Sequence, residues 1–258
     1  MILIDLNQVC IANILQEVKS IKKIEPLLVK HMILSTLLFY RKKFKDRYGE
    51  LVICCDSKKS WRKDVFPFYK ANRKANREKH PVDWNGIFEV INSLTEDLVN
   101  HFPYSVIKIM IISSDKDFLQ LQKYFNVEQF SPTQKKMLVS KDPNGYLREH
   151  IMKGDRGDGI PNFLSDDDTF VTDKRSKKVL STKLKAWVGL DPYEFCNEKM
   201  LRGYKRNEQL VDLGHTPVDI KQKIVDQYKE YEYNQRDKLL NYFIKNKLRN
   251  LTEHIGDF

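Results

Sequence analysis

Short apolar runs rich in branched side chains predict buried strands. These runs are Met1–Ile4, Leu51–Cys55 and Ile107–Ile112. Continuous runs of this kind favour a parallel sheet that is covered on both faces. Between the first two runs, apolar residues recur at helical spacing from Leu27 to Phe39, and the basic run Arg41–Lys45 closes the predicted helix. A second amphipathic helix is predicted for Asp83–Asn100.

The order strand, helix, strand, helix, strand predicts an α/β protein with a doubly wound sheet. After about Asp142 the pattern changes, and the second part is predicted to be helical. Its predicted helices are Tyr146–Lys153, Leu180–Val188, Pro192–Leu201, Pro217–Glu230 and Arg236–Leu248. A polar stretch at 162–178 is predicted to be a mobile loop. We therefore expect an α/β core at 1–142 and a helical domain at 143–258.

The charge balance favours polyanionic partners. The chain has 258 residues and a formal net charge of +10, and neutralising phosphates releases condensed counterions. A basic surface that only confers solubility is an equally good explanation of the charge alone. The four cysteines form no CxxC pair, which favours reduced thiols in a cytosolic protein. No signal peptide or bilayer-spanning run is recognised, so we expect no membrane partner and a cytoplasmic location.

Aspartates follow all three predicted strands, at once or within a few residues. They are Asp5, Asp56, Asp115 and Asp117. The carboxyl ends of parallel strands share one edge of the sheet, where ligands bind. Crowded carboxylates repel each other, which a divalent cation would relieve. One such aspartate is better explained as a loop or capping residue, but the coincidence at three strands favours a metal site.

A glycine-rich segment, Gly154–Pro161 (GDRGDGIP), carries two further acids, Asp155 and Asp158. By composition it is a turn between helices. Its glycines allow backbone to approach a phosphate closely.

A third segment, 61–77 (WRKDVFPFYKANRKANR), interleaves basic and aromatic residues. Rings can stack on bases while cations follow phosphates, so the segment suits a nucleic-acid strand. An amphipathic helix whose rings pack inward explains the same pattern, and the pattern favours neither reading.

In this order, the motifs resemble those of the flap-endonuclease-like 5′ nucleases, and within them the ribonuclease H type of T-even phages. The matching stretches are Leu3–Asn7, Cys54–Asp64, Phe68–Arg73, Ile111–Tyr124, Gln129–Lys136 and Lys153–Pro161. The resemblance covers nearly the whole chain. It implies a parallel-sheet, PIN-like nuclease core, a basic arch or bridge at 58–84, and a helical C-terminal domain with a helix–three-turn–helix around Tyr146–Pro161.

The resemblance also implies roles for individual residues. Asp5 and Asp56 would bind a first metal ion. Asp115, Asp117, Asp155 and Asp158 would bind a second. Lys70 and Arg73 would contact the scissile phosphate. The expected catalytic residues are then Asp5, Asp56, Asp115, Asp117, Lys70 and Arg73. The expected DNA contacts are Arg62, Lys63, Lys70, Arg73, Lys74, Arg77, Lys153, Gly154, Gly157 and Gly159.

The activity implied by the resemblance is hydrolysis of phosphodiester bonds from 5′ ends and flaps with two Mg²⁺ or Mn²⁺ ions, and a K⁺ ion is sometimes held at the helix–three-turn–helix. The substrates would be DNA and RNA–DNA hybrids with 5′ flaps, forks or nicks, as in removal of RNA primers during lagging-strand replication. We expect a monomer in the cytoplasm of a phage-infected host cell. The C-terminal helices are expected to pack on the domain with a solvated basic face, or to dock a single-strand-binding replication protein.

One element of the family pattern is missing. The family carries an acidic Glu-Ala-Asp-Asp segment before the third strand, whereas here 101–108 (HFPYSVIK) runs directly into Ile109. Three explanations are open: omission of a segment from this chain, natural loss in a homologue that only binds nucleic acid, or substitution by another acid. We favour omission, because the other aspartates and basic residues are retained. The alternative functions are a junction binder without turnover and a toxin-type ribonuclease.

Overall fold

A five-stranded sheet forms the centre of the protein. The computed structural model describes residues 1–17, 25–55, 60–73, 108–172, 174–230 and 236–258. The strands are β1 (Ile2–Asp5), β2 (Leu51–Cys54), β3 (Ile109–Ile112), β4 (Val127–Ser131) and β5 (Lys136–Leu138), in the order β2-β1-β3-β4-β5. The first four are mutually parallel, and β5 is antiparallel to β4. The prediction of an α/β protein with a parallel sheet is confirmed for β1 to β4, and the antiparallel β5 makes the sheet mixed.

The strand register aligns the carboxyl ends of β1, β2 and β3. Ile4 pairs with Ile53 on one side and with Ile112 on the other, and Asp5 is opposite Cys54. Ile4 and Ile112 are fully buried, because helices and loops cover both faces of the sheet. The residues that follow β1 and β3 therefore emerge next to each other.

Helix α1 (Leu6–Glu17) follows β1 directly and was not predicted from the sequence. Helix α2 (Pro26–Tyr48) is longer than predicted, since the basic run does not end it. Arg41 within that run is buried and pairs with Glu50 at 3.0 Å. The helix ends at Gly49, whose φ of 84° is a conformation that glycine adopts at little cost.

The segment after β3 differs most from the prediction. A 3₁₀ helix (Lys116–Lys123) leads into β4 and β5, and neither strand was predicted. Both strands are short and partly polar, so they lack the continuous apolar pattern of β1 to β3. The helix predicted at Asp83–Asn100 lies outside the described residues.

The second part of the chain is helical, as predicted. Its helices are α4 (Pro143–Lys153), α5 (Ser181–Trp187), α6 (Pro192–Phe195), α7 (Glu198–Val211), α8 (Val218–Glu230), α9 (Arg236–Lys245) and α10 (Arg249–Thr252); the short helix α3 (Arg62–Val65) lies in the first part. The single helix predicted at Pro192–Leu201 is split, because Asn197 caps α7 by accepting a hydrogen bond from Met200 N at 2.9 Å.

The polar stretch at 162–178 is irregular but closed by side-chain hydrogen bonds. Asn162 donates to Lys177 O at 2.7 Å, and Lys177 N donates to Ser165 Oγ at 2.9 Å. The next helix after the glycine-rich turn therefore begins only at Ser181. The predicted helix–three-turn–helix has its first helix and its turn, but no second helix follows directly in the described part of this stretch.

Two hydrophobic cores cross the predicted division at 142/143. The first joins the sheet and α2 to the C-terminal helices, through Phe243, Leu251 and Phe258. The second joins Phe66 and Tyr69 of the basic segment to α4, the glycine-rich turn, α5 and α7. The predicted boundary therefore does not separate two independent cores, because each half of the chain contributes residues to both cores. Among the described helices, none has the length and apolar character needed to cross a bilayer.

Because Phe243 is completely buried in the core of the sheet, Phe243→Ala is expected to lower the free energy of unfolding by about 3 to 5 kcal/mol. The adjacent Ile244, which is 63% exposed, provides the matched control, and Ile244→Ala should cost less than about 1 kcal/mol. Urea denaturation measures both changes. Amide exchange should also rise in β1 and β3 of Phe243→Ala; unchanged protection there would contradict the assignment of α9 to the sheet core.

Candidate metal centre

Asp5 lies at the end of β1 and is oriented by two neighbours. Its Oδ1 accepts from Gln8 N at 3.1 Å, and its Oδ2 accepts from Ser113 Oγ at 3.0 Å. Ser113 is fully buried directly after β3. The serine hydroxyl therefore connects the acid of one strand to the end of the next.

The same serine orients the loop that carries Asp115. Asp115 N donates to Ser113 Oγ at 3.1 Å, and Asp115 Oδ1 accepts from Asp117 N at 2.9 Å, which caps the 3₁₀ helix. Gln129, buried in β4, donates to Ser113 O at 2.9 Å and to Asp115 O at 2.7 Å. These bonds fix the backbone of the loop, so the two predicted aspartates leave it in defined directions.

Asp117 and Asp155 meet across the imidazole of His150. His150 Nδ1 lies 3.3 Å from Asp117 Oδ1, and His150 Nε2 lies 3.5 Å from Asp155 Oδ2. His150 belongs to the last turn of α4, and Asp155 comes after Gly154, which caps that helix. One ligand atom from each residue lies within 4.8 Å of the others, which is a spacing that suits a metal ion.

The acids in this group shift the pKa values of one another. Burial, followed by the charge of Asp115, raises the pKa of Asp117 to about 7. A hydrogen bond from His150 lowers the pKa of Asp155 to about 2. Burial alone would lower the pKa of His150, but the hydrogen bond to Asp155 and the charge of Asp117 outweigh it and raise that pKa. The group therefore concentrates negative charge around one imidazole.

Asp158 faces the basic segment instead of this imidazole. Arg73 pairs with its Oδ1, Lys70 Nζ lies 3.6 Å from its Oδ2, and the Tyr69 hydroxyl donates to the same oxygen at 2.7 Å. Burial and the neighbouring Asp158 raise the pKa of Tyr69, so its hydroxyl remains a donor. Asp158 is thus surrounded by side chains of the basic segment, whereas Asp117 and Asp155 meet at His150.

Backbone contacts also join the basic segment to the glycine-rich turn. Lys70 N donates to Asp158 O at 2.7 Å, and Asn72 Nδ2 donates to Arg156 O at 2.9 Å. Gly159 has a φ of 72°, and a Cβ there would lie 3.0 Å from Phe68 O. At Gly154, with a φ of 67°, a Cβ would lie 2.4 Å from Ile160 O. These two glycines permit close contact between protein backbones, and their expected contact with phosphate stays a prediction.

Of the other residues expected to contact nucleic acid, some are exposed and some are bonded within the protein. Lys63 is exposed, and so is Gly157. Arg62 is engaged within the protein, since its Nε donates to Leu210 O at 2.8 Å, and Lys153 pairs with Glu149 at 2.5 Å. Asp56, Lys74 and Arg77 lie outside the described residues.

The aromatic rings of the basic segment do not all face solvent. Phe66 and Tyr69 are each only 4% exposed and belong to the second core. The inward-packing explanation is therefore correct for these two rings. Stacking on bases by Phe66 or Tyr69 is excluded by their burial.

Sequence patterns missed three residues of the centre. His150 and Ser113 were not singled out, and neither was Gln129. The available signal for His150 was its position in the turn of helix just before the GD pair at Gly154 and Asp155. Ser113 and Gln129 act through contacts between strands, for which a single sequence contains no signal.

The chain is similar in sequence to a protein-family model and to a curated phage protein. A family model described as "T4 RNase H, C terminal" matches residues 145–258. Ribonuclease H of Enterobacteria phage T4 is 32% identical over an alignment of 289 residues that covers 99% of this chain and 95% of that protein. Since this chain has 258 residues, at least 31 aligned positions of the T4 protein have no counterpart here.

Solved structures of phage T5 nucleases share the fold. The T5 5′-exonuclease with bound zinc ions has a TM-score of 0.63 and 17% identity, over 90% of this chain and 98% of its own. The T5 flap endonuclease in a complex with DNA and metal ions has a TM-score of 0.59 and 17% identity, over 88% of this chain and 95% of its own.

The raised pKa of Asp117 predicts a pH-dependent stability of the metal-free protein. A carboxyl whose folded pKa is about 7, against 3.8 for the ordinary group, contributes stability that is fully present below pH 3.8 and is lost as the pH rises through 7. Asp117→Asn should remove this loss and gain about 4 kcal/mol relative to the parent between pH 4 and pH 8, since each unit of pKa difference corresponds to about 1.4 kcal/mol.

Urea denaturation in the presence of EDTA measures this difference. Asp191→Asn, at the exposed cap of α6, serves as the control and should follow the parent protein at every pH. Parallel plots of unfolding free energy against pH for Asp117→Asn and the parent would contradict the raised pKa of Asp117.

Proposed function

The chain belongs to the family of phage T4 ribonuclease H, and from that premise we propose that it is a metal-dependent 5′ nuclease that hydrolyses phosphodiester bonds in nucleic acids. The observation that carries the proposal is the meeting of Asp117 and Asp155, from separate elements, at one position beside the carboxyl edge of the sheet. Such a group costs stability unless a cation balances it. The divalent metal ion that the proposed nuclease requires would be that cation.

Two divalent ions, Mg²⁺ or Mn²⁺, are proposed. Asp5 and Asp56 would hold one, and Asp115, Asp117, Asp155 and Asp158 would contribute to the other. The ions would activate water and neutralise charge on the reacting phosphate. Supporting this fit, Asp117 Oδ1 and His150 Nδ1 are buried and lack hydrogen-bond partners, and Ser113 holds Asp5 beside the loop of Asp115.

Lys70 and Arg73 are proposed to position the scissile phosphate and to offset its developing charge. Both cations now face Asp158, which is only 16% exposed in its side chain. A phosphate is a comparable anion, so it can take over these partners when Asp158 turns to a metal ion. The segment itself need not move far, because its backbone is bonded to the turn that carries Asp158.

The proposed substrates are DNA and RNA–DNA hybrids with 5′ flaps, forks or nicks, including RNA primers in phage lagging-strand replication. The fold shared with a T5 flap endonuclease bound to DNA supports this proposal, as does the net charge of +10. Residues 143–258 would hold duplex backbone, with a K⁺ ion near the glycine-rich turn. We further propose a monomer that acts in the cytoplasm of the infected host cell and docks a single-strand-binding protein.

A second candidate is a binder of flaps or forks with weak or no turnover. The observation that favours it is length: at least 31 aligned positions of T4 ribonuclease H have no counterpart here, and the acidic Glu-Ala-Asp-Asp pattern does not occur in the sequence. Fewer carboxylates would weaken metal binding. Contacts to phosphate would persist, because they depend on different residues.

A 5′-flap cleavage assay with Mg²⁺ or Mn²⁺ tests the proposed function. The parent chain should release the flap, and the double variant Asp115→Asn with Asp117→Asn should cut about 100-fold more slowly or worse, since it loses metal-bound charge. Binding of the flap, measured by fluorescence anisotropy, should change by less than about threefold in the same variant. No cleavage by the parent with either metal, together with tight flap binding, would establish the second candidate.

Asp212→Asn is the matched control for this assay. Asp212 also begins a 3₁₀ helix and accepts a hydrogen bond from the N–H two residues ahead, at 2.7 Å to Gly214, as Asp115 does to Asp117. An asparagine can keep either capping bond. Loss of cleavage in Asp212→Asn as well would attribute the effect to helix capping instead of metal binding.

A further inference from the structure

His150 occupies the position between the two carboxylates that a bound ion would need to approach. It arrives from the last turn of α4, Asp117 arrives from the 3₁₀ helix after β3, and Asp155 arrives from the glycine-rich turn. Its side chain is only 12% exposed. Tyr146, one turn earlier on the same helix, meets the imidazole edge to face with ring centroids 5.8 Å apart. The ring orientation is therefore fixed by packing.

The two ring nitrogens have different surroundings. Nε2 lies 3.5 Å from Asp155 Oδ2. Nδ1 and Asp117 Oδ1 are 3.3 Å apart, but both are buried and neither makes a hydrogen bond. Two buried polar atoms without hydrogen bonds are costly, and they indicate a partner that binds to both. A metal ligand histidine commonly gives its other nitrogen to a carboxylate, as Nε2 can give to Asp155 here.

The distances suit an ion with six ligands. At metal–ligand distances of about 2.1 Å, adjacent ligand atoms are about 3.0 Å apart and opposite ones about 4.2 Å apart. The 3.3 Å between His150 Nδ1 and Asp117 Oδ1 corresponds to an adjacent pair. One carboxylate oxygen of Asp155 also lies within 4.8 Å of one ring nitrogen of His150 and one carboxylate oxygen of Asp117. Small side-chain rotations therefore suffice to close the group around one ion.

We propose that His150 is a nitrogen ligand of the metal centre and that it makes the centre prefer Mn²⁺ and similar transition ions to Mg²⁺. The inference rests on the proposed function for the presence of a metal ion, and it adds a ligand and a metal preference. Mg²⁺ favours sites built from oxygen atoms and water, whereas the divalent transition ions accept an imidazole nitrogen, Mn²⁺ less strongly than Co²⁺ or Zn²⁺. A centre with one imidazole and two or more carboxylates is thus selective by its donor atoms.

Pulsed EPR of the Mn²⁺-loaded protein tests the ligand directly. Mn²⁺ bound to the parent chain should show coupling to an imidazole nitrogen, and His150→Ala should lose it. Mn²⁺ affinity, measured from the signal of free Mn²⁺, should fall by about tenfold or more in His150→Ala. Mg²⁺ affinity, measured by competition with Mn²⁺, should change by less than about threefold.

His254→Ala is the matched control, because His254 Nδ1 also lies 3.3 Å from a carboxylate, that of Asp257. It should keep both the nitrogen coupling and the Mn²⁺ affinity of the parent. His150→Gln preserves side-chain bulk and should reproduce the loss seen in His150→Ala if the latter folds poorly. The spectrum of the parent alone is decisive, since bound Mn²⁺ without nitrogen coupling overturns the proposal whatever the variants do.

The outcome is separable from the flap assay. If the parent cleaves flaps but its Mn²⁺ shows no nitrogen coupling, the proposed function stands and His150 serves only as an internal cation for Asp117 and Asp155. If nitrogen coupling is present and is lost in His150→Ala while no flap is cleaved, the ligand assignment stands and the nuclease proposal fails.

Discussion

Repulsion between carboxylates is the constraint on which the arrangement of this protein depends. Asp115, Asp117, Asp155 and Asp158 lie close enough that the charges of the other three all raise the pKa of Asp117. Without metal, the protein balances them with its own cations: His150 lies between Asp117 and Asp155, and Lys70 and Arg73 face Asp158. The contact between His150 and Asp155 is local, but the contacts of His150 with Asp117 and of Lys70 and Arg73 with Asp158 join elements far apart in sequence.

Repulsion between the carboxylates also explains why two polar residues are buried at the end of β3 and within β4. Ser113 and Gln129 are both fully buried, and their hydrogen bonds hold the loop of Asp115 and the carboxylate of Asp5 in fixed relation. Burying a polar group costs stability unless it is hydrogen-bonded; the Ser113 hydroxyl and Gln129 Nε2 are bonded, whereas Gln129 Oε1 is buried without a hydrogen-bond partner. Here the bonds restrain acids that would otherwise turn away from one another. A rigid scaffold of this kind suits catalysis, since ligands that are already positioned need little rearrangement.

The sequence predicted what depends on local pattern. The apolar runs of β1, β2 and β3 specify strands, although only Leu51 of β2 is buried, and their register then brings Asp5 and Asp115 to one edge. It could not predict β4 and β5, whose short, partly polar strands are defined by pairing with β3 and with each other. The role of His150 was missed for the same reason, because its meaning comes from Asp117, 33 positions earlier in the chain.

Inward packing of Phe66 and Tyr69 was also undecidable from sequence. Alternating rings and cations fit both a nucleic-acid surface and an amphipathic helix, and only the second core resolves the choice for these rings. The predicted domain boundary at 142/143 has the same weakness, because it was inferred from composition. Composition contains no information on long-range contacts, so it could not show that Phe243 and Phe258 pack against the sheet.

Burial of five C-terminal side chains in the core of the sheet, Leu239, Phe243, Leu248, Leu251 and Phe258, has a consequence for synthesis in the cell. Ile4 and Phe243 share that core, yet the ribosome makes them far apart in time. At about 5 to 20 residues per second, translation of the roughly 240 intervening residues takes on the order of 10 to 50 seconds. Until the last helices leave the exit tunnel, the apolar underside of the sheet stays uncovered. Nascent chains are therefore expected to depend on chaperones during this interval.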